Sequence, residues 1–154
     1  MKNIVIGSII LLATLFFSAP SFSHCEIPCG IYGDAMRMDM IAEHIQTIKK
    51  SMNMIIKLSQ EKEVDQNQLV RWVMNKEKHA EALQNIIWQY FIAQRIKPVD
   101  DEKSAKYKTY IEQITLSHKL IIYAMKAKQS TDLAHISALE KLLAEFKTAY
   151  MTKK

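Results

Sequence analysis

From Asp34 to its C-terminus the chain contains one proline, Pro98, and no glycine. Tight turns between strands and phosphate-cradling loops depend on those two residues, so this stretch argues against sandwiches, barrels and Gly-looped nucleotide folds. Long, uninterrupted helices remain. The chain has 154 residues, 49% of them hydrophobic and 24% charged, which is the size of one modest domain with a single core.

The apolar residues supply the period. Met38, Ile41, Ile45, Ile48, Met52 and Ile55 recur at alternating spacings of three and four, which places them on one face of a helix running from Asp34, as N-cap, to about Leu58. The polar stretch from Ser59 to Gln68 is a connection. Leu69, Val73, Ala80, Leu83, Ile87 and Tyr90 then mark a second helix that ends before Pro98. Asp100 and Asp101 favour a third start, with a stripe at Tyr107, Ile111, Ile114, His118, Ile121 and Met125. A fourth helix follows Ser130, Thr131 and Asp132 and shows Ile136, Leu139, Leu143, Phe146 and Tyr150. Each stripe must be buried against another, so the expected fold is all-α, an up-down four-helix bundle over residues 34–154.

Ahead of it lie two segments of different character. Lys2 and the apolar run over residues 4–17 are followed by the helix breaker Pro20 and by small residues at Ser21 and Ser23. The run is well short of the roughly 20 residues that a membrane-spanning helix needs. It reads as a secretory signal peptide, residues 1–23, removed by a signal peptidase. The product would be secreted or periplasmic, would carry no membrane anchor, and would begin at His24. Residues 24–33, HCEIPCGIYG, hold both cysteines and lack helical or strand periodicity. They form an irregular hook.

If His24 is the N-terminus, five donors fall within six residues: its amine, its imidazole, the Cys25 amide nitrogen, and the thiolates of Cys25 and Cys29. The amine and the next amide close one five-membered chelate ring, and that amide with the Cys25 sulfur closes a second. Two fused rings favour a planar ion. A square-planar nitrogen and sulfur set points to nickel(II) or copper(II), whereas zinc prefers a tetrahedron. Copper with two thiolates tends to be reduced or to oxidise them, which favours nickel. Pro28 permits a cis bond that folds Cys29 back toward Cys25, and Gly30 lets the backbone approach the site. A small Cys25 to Cys29 disulfide is the structural alternative, though so short a loop would constrain little.

The string H-C-x-x-P-C-G-x-Y at a processed N-terminus, ahead of an all-helical domain, resembles nickel superoxide dismutase. It is matched at His24, Cys25, Pro28, Cys29, Gly30 and Tyr32. The resemblance implies one nickel ion per subunit, cycling between nickel(III) and nickel(II) while superoxide becomes dioxygen and hydrogen peroxide. The thiolates and amide would stabilise the higher state, and the His24 imidazole would bind axially when the metal is oxidised. Tyr32 would line substrate access, with its hydroxyl ordering water or superoxide. A carboxylate from the first helix and an arginine from the second would support the imidazole. Asp39 and Arg71 align with those positions, with Glu43 as the competing carboxylate, and Glu26 departs from the Asp common in the family. A homohexamer is the implied assembly. An exported nickel or copper binding protein without turnover is the alternative function.

The formal charge of +5 comes from lysines scattered among acids, which argues against nucleic acid as a partner while favouring a small anion near the surface. His44, His79, His118 and His135 have no second ligand at helical spacing and are read as packing or interface residues. Met38, Met52 and Met125 are read as core filling, and Trp72, Trp88 and Tyr90 as packing or subunit contacts.

Overall fold

The computed structural model describes residues 30–152, and the description below concerns those residues. Helix α1 spans Asp34–Ser59 and α2 spans Gln66–Asn85. The second helix continues without a break into a ten-residue π-helical segment, Ile86–Arg95. Helix α3 covers Ala105–Gln129 and α4 covers Ala134–Met151.

Cross-helix contacts fix the direction of each neighbour. Between α1 and α2, His44 meets His79 and Ser51 meets Asn75, so rising numbers meet falling ones. The same order reversal holds between α2 and α3, where Gln84 reaches the Ile121 carbonyl and Lys76 reaches those of Lys128 and Ser130. Tyr123 beside His135 and Gln113 on the Ala149 carbonyl align α3 against α4. Glu140 with Gln46, and Lys147 with Asp39, close α4 onto α1. Each helix is antiparallel to the next and the last returns to the first, which is the up-down four-helix bundle expected from the periodicity.

The stripes of α1 and α4 are buried as the spacing predicts: Met38, Ile41, Ile45, Ile48, Met52 and Ile55 on one, Ile136, Leu139, Leu143, Phe146 and Tyr150 on the other. Helix α2 and its π-helical continuation bury Ala80, Leu83, Ile87 and Tyr90 but leave Val73 exposed. On α3 the expectation needs correcting. Its buried face is Leu116, Ser117, Leu120, Ala124 and Ala127, while Ile111, His118 and Met125 are exposed. The two faces differ by one residue, or about 100° of rotation. Small residues win the inner face because Ser117, Ala124 and Ala127 admit the neighbouring helices at close range, and the longer Ile111 and Met125 remain outside.

Two helix starts also differ. The side chain of Asp34 makes no cap hydrogen bond; Gly33 occupies that position, and Asp34 turns inward. Helix α3 is capped by Ser104, whose hydroxyl accepts from the Tyr107 amide, and Asp101 serves the preceding turn by accepting from the Lys103 amide.

Candidate metal centre

The expected hook donors His24, Cys25 and Cys29, together with Glu26 and Pro28, lie outside the described residues. The structure takes up the chain at Gly30, whose φ of +70° is the left-handed conformation that glycine adopts without strain. Two residues later Tyr32 lies against the bundle. Its ring meets that of Tyr90 edge-on, with centroids 6.2 Å apart, and the Arg95 guanidinium lies 4.2 Å from its centroid. A cation facing a ring at this range is attracted by the ring quadrupole. Tyr32 is half-exposed, so one side of it packs and the other meets solvent.

Beneath Tyr32 lies a buried polar cluster that sequence reasoning missed. Asp34 Oδ1 accepts from the Tyr90 hydroxyl at 2.6 Å and from Arg95 Nε at 3.0 Å. Asp34 Oδ2 accepts from Arg95 Nη2 at 2.9 Å and from the Tyr150 hydroxyl at 3.1 Å. The pair with Arg95 is therefore bidentate, the geometry in which guanidinium and carboxylate match best. Around it Phe91 packs edge-on against Tyr90, Phe146 and Tyr150 at 5.0 to 5.2 Å.

The π-helical segment makes this cluster possible. Residues five apart on an α-helix point about 140° away from each other, so Tyr90 and Arg95 would not share a face. In the wider segment the Ile96 amide bonds to the Phe91 carbonyl, five residues back, at 2.8 Å. The wider turn brings residues five apart closer to one face, and both side chains reach Asp34. Arg95 therefore carries no signal at spacings of three and four.

Burial and the nearby Asp34 carboxylate push the Tyr90 hydroxyl up to about 12, and the same causes push Tyr150 up to about 12. Arg95 is held above its ordinary value chiefly by its hydrogen bond to Asp34. A phenol whose pKa rises on folding favours the protonated state, so its stabilisation is present below pH 10 and is lost as pH climbs toward 12. We expect the bundle to weaken over that interval, with the ionisation of Tyr90 and Tyr150 accompanying loss of helicity. Tyrosinate absorbance recorded alongside circular dichroism checks this; all six tyrosines ionising near pH 10 in a fully helical protein would contradict it.

The residues expected to support the imidazole are placed apart. Asp39 is 76% exposed and pairs with Lys147 at 3.1 Å. Arg71 lines a shallow surface groove with Thr47, Lys50, Gln68, Trp72 and Asn75. Thr47 is eight residues beyond Asp39, about 12 Å of helix rise, and the structure does not bring Asp39 and Arg71 together. Glu43 is exposed on α1. Nearer Tyr32, the Arg37 guanidinium lies 5.1 Å from the centroid of the Tyr90 ring, and its buried Nε has no hydrogen-bond partner. A cavity of about 460 Å³ opens beside Arg95 and Tyr150 and is lined also by Lys97 and Lys106.

Among the described residues no group of three or more His, Cys, Asp or Glu side chains could hold a metal ion. Both cysteines precede Gly30. The family model for nickel-containing superoxide dismutase matches residues 19–154, a stretch that includes residues 24–33 and all four helices. The chain belongs to this family. It is a nickel-dependent superoxide dismutase, an oxidoreductase with a nickel cofactor. Searches of curated proteins and of solved structures return no match. Among the described residues no helix is long and apolar enough to cross a membrane.

Proposed function

We propose that the family's reaction is carried out here by a hook beginning at His24, with the His24 amine and imidazole, the Cys25 amide and thiolate and the Cys29 thiolate as nickel donors. The donor chemistry fits the ion, because anionic sulfur and amide nitrogen favour a planar nickel(II) and stabilise its oxidised state. Bound nickel supplies the one-electron exchange by which two superoxide ions and two protons become dioxygen and hydrogen peroxide. The seat of Tyr32 carries this reading. It lies three residues after Cys29, and its ring is fixed against Arg95 and Tyr90, so the hook leaves the bundle from an anchored point.

The chain's own groups then divide the work. Arg37 and the lysine-lined cavity beside Arg95 give this end of the bundle a positive potential that raises the local concentration of an anionic substrate. Tyr90 and Tyr150 keep their protons, because Asp34 accepts from both hydroxyls and their pKa values stand near 12. The Tyr32 hydroxyl, on a half-exposed ring, is the phenol proposed to order water or superoxide. Asp39, with Glu43 as the competing carboxylate, remains the proposed support for the His24 imidazole, and the separation of Asp39 from Arg71 leaves Asp39 to act without that arginine.

Removal of residues 1–23 is part of the same proposal, since an amine donor exists at His24 only after cleavage, and it places the protein outside the cytoplasm. Self-association, as a hexamer by family resemblance, is supported by apolar side chains left outside the bundle, among them Val70, Met74 and Trp88 on the second helix and Ile111 on α3. N-terminal sequencing, metal analysis and superoxide turnover of the purified mature protein test the proposal together. We expect His24 first, one nickel per chain, and loss of both nickel and turnover in Cys25→Ser; full zinc occupancy without turnover would overturn it.

A further inference from the structure

Histidines 44 and 79 lie 35 positions apart in sequence, yet the structure brings their Nδ1 atoms to 2.9 Å across the seam between α1 and α2. The rings stand edge to face, with centroids 5.1 Å apart, and both residues are only partly buried. His44 is ten residues beyond Asp34 on α1, about 15 Å of rise, so the pair is separate from the cluster beneath Tyr32. We propose that His44 and His79 form a second transition-metal site, a two-imidazole clamp that takes nickel(II) or copper(II), with water completing the coordination.

The spacing favours those ions. Metal–imidazole bonds of about 2.0–2.1 Å at right angles separate two nitrogens by about 2.9 Å, whereas a tetrahedral zinc site separates them by roughly 3.3 Å. The protonation state is also suitable. Burial, and then the proximity of His79, hold His44 below its ordinary pKa, with Glu43 acting in the opposite direction. A neutral imidazole has one nitrogen lone pair to offer, and for both Nδ1 atoms to coordinate the proton on the Nδ1 contact moves to Nε2 and the two rings turn until their lone pairs converge on one ion. No net proton or electron is exchanged. The clamp joins two helices, so bound metal would stabilise the folded chain in proportion to its concentration over its dissociation constant.

The inference does not depend on the hook, and its test keeps the two apart. Mature protein is loaded with nickel, dialysed, and titrated calorimetrically with Ni²⁺, beside His44→Gln, His79→Gln and the double variant. Glutamine keeps a polar side chain of similar reach, and circular dichroism verifies that each variant folds. The wild-type protein should take up one further equivalent. Either single substitution should weaken that uptake about a hundredfold or more, beyond the 10- to 100-fold that loss of a merely supporting partner costs, and the double variant should abolish it. At about 100 times the dissociation constant, Ni²⁺ should raise the wild-type melting temperature by roughly 5–10 °C and leave the double variant unchanged. Superoxide turnover of the nickel-loaded double variant should match wild type. Absence of a second equivalent, or equal uptake by wild type and the folded double variant, would overturn the proposal.

Discussion

One residue added ahead of His24 should reduce superoxide turnover by at least about a hundredfold, more than loss of a supporting partner typically costs at a metal site. The reason lies in ring size and charge. With His24 first, its amine is a primary nitrogen separated by two carbons from the Cys25 amide nitrogen, and these four atoms close a five-membered ring with the metal. With a residue in front, that nitrogen becomes a peptide nitrogen, planar and a poor donor unless deprotonated, and the new amine lies one chelate ring too far away. The imidazole and both sulfurs are untouched by the change. The extended protein should therefore fold with the same helicity, retain both thiols, and fail in turnover. The measurement is turnover per bound nickel for the extended and native N-termini, each verified by mass. Equal turnover would show that the amine is no ligand, and the planar array would have to be abandoned.

The visibility of the fold in the sequence depended on how many apolar faces each helix carries. On α1 and α4 the large aliphatic and aromatic residues occupy one face alone, so spacing and burial coincide. Helix α3 carries large apolar residues on one face and a mixture of Leu, Ser and Ala on the next, and a size-weighted reading selects the first, of which Ile114 and Ile121 pack against the core while Ile111, His118 and Met125 stay outside. The proposed hook donors rest on the sequence alone, since chelation acts between neighbours in the chain and His24, Cys25 and Cys29 lie outside the described residues. Asp34 and Arg95 were not, since their contact spans 61 positions and depends on a change of helical pitch that leaves no period of three or four. Asp34 was legible only as a polar residue opening an apolar run, a pattern that also describes an ordinary cap. The two histidines were similarly silent. Each is alone on its helix at spacings of three and four, and their meeting exists only once α1 and α2 have packed.

Substitution of Asp34 should be the most destabilising single change at this end of the bundle. In Asp34→Ala the carboxylate that accepts from Tyr90, Tyr150 and both bonding nitrogens of Arg95 disappears. Tyr90 and Tyr150 are 2% and 5% exposed, so water cannot readily replace the lost acceptor. Removing one partner of a buried ion pair costs about 3–5 kcal/mol, because the remaining charge is left without compensation. The buried Tyr90 hydroxyl, left without its acceptor, adds about 1–3 kcal/mol. Against a total stability of about 5–15 kcal/mol for an ordinary domain, the variant should be largely unfolded or close to it. Asp34→Asn keeps an acceptor oxygen and the volume but loses the charge, and should fall between the variant and wild type. Asp39→Ala supplies the comparison: its pair with Lys147 is exposed, and such pairs contribute about 0–1 kcal/mol. Urea unfolding of the three variants gives the order directly, and Asp34→Ala no more costly than Asp39→Ala would refute the account. The consequence reaches the metal through Tyr32, whose ring rests on the guanidinium that Asp34 holds. Asp34→Asn that still folds should therefore lose turnover while its donors remain intact, since an Arg95 released from its carboxylate no longer fixes the point at which the hook leaves the bundle.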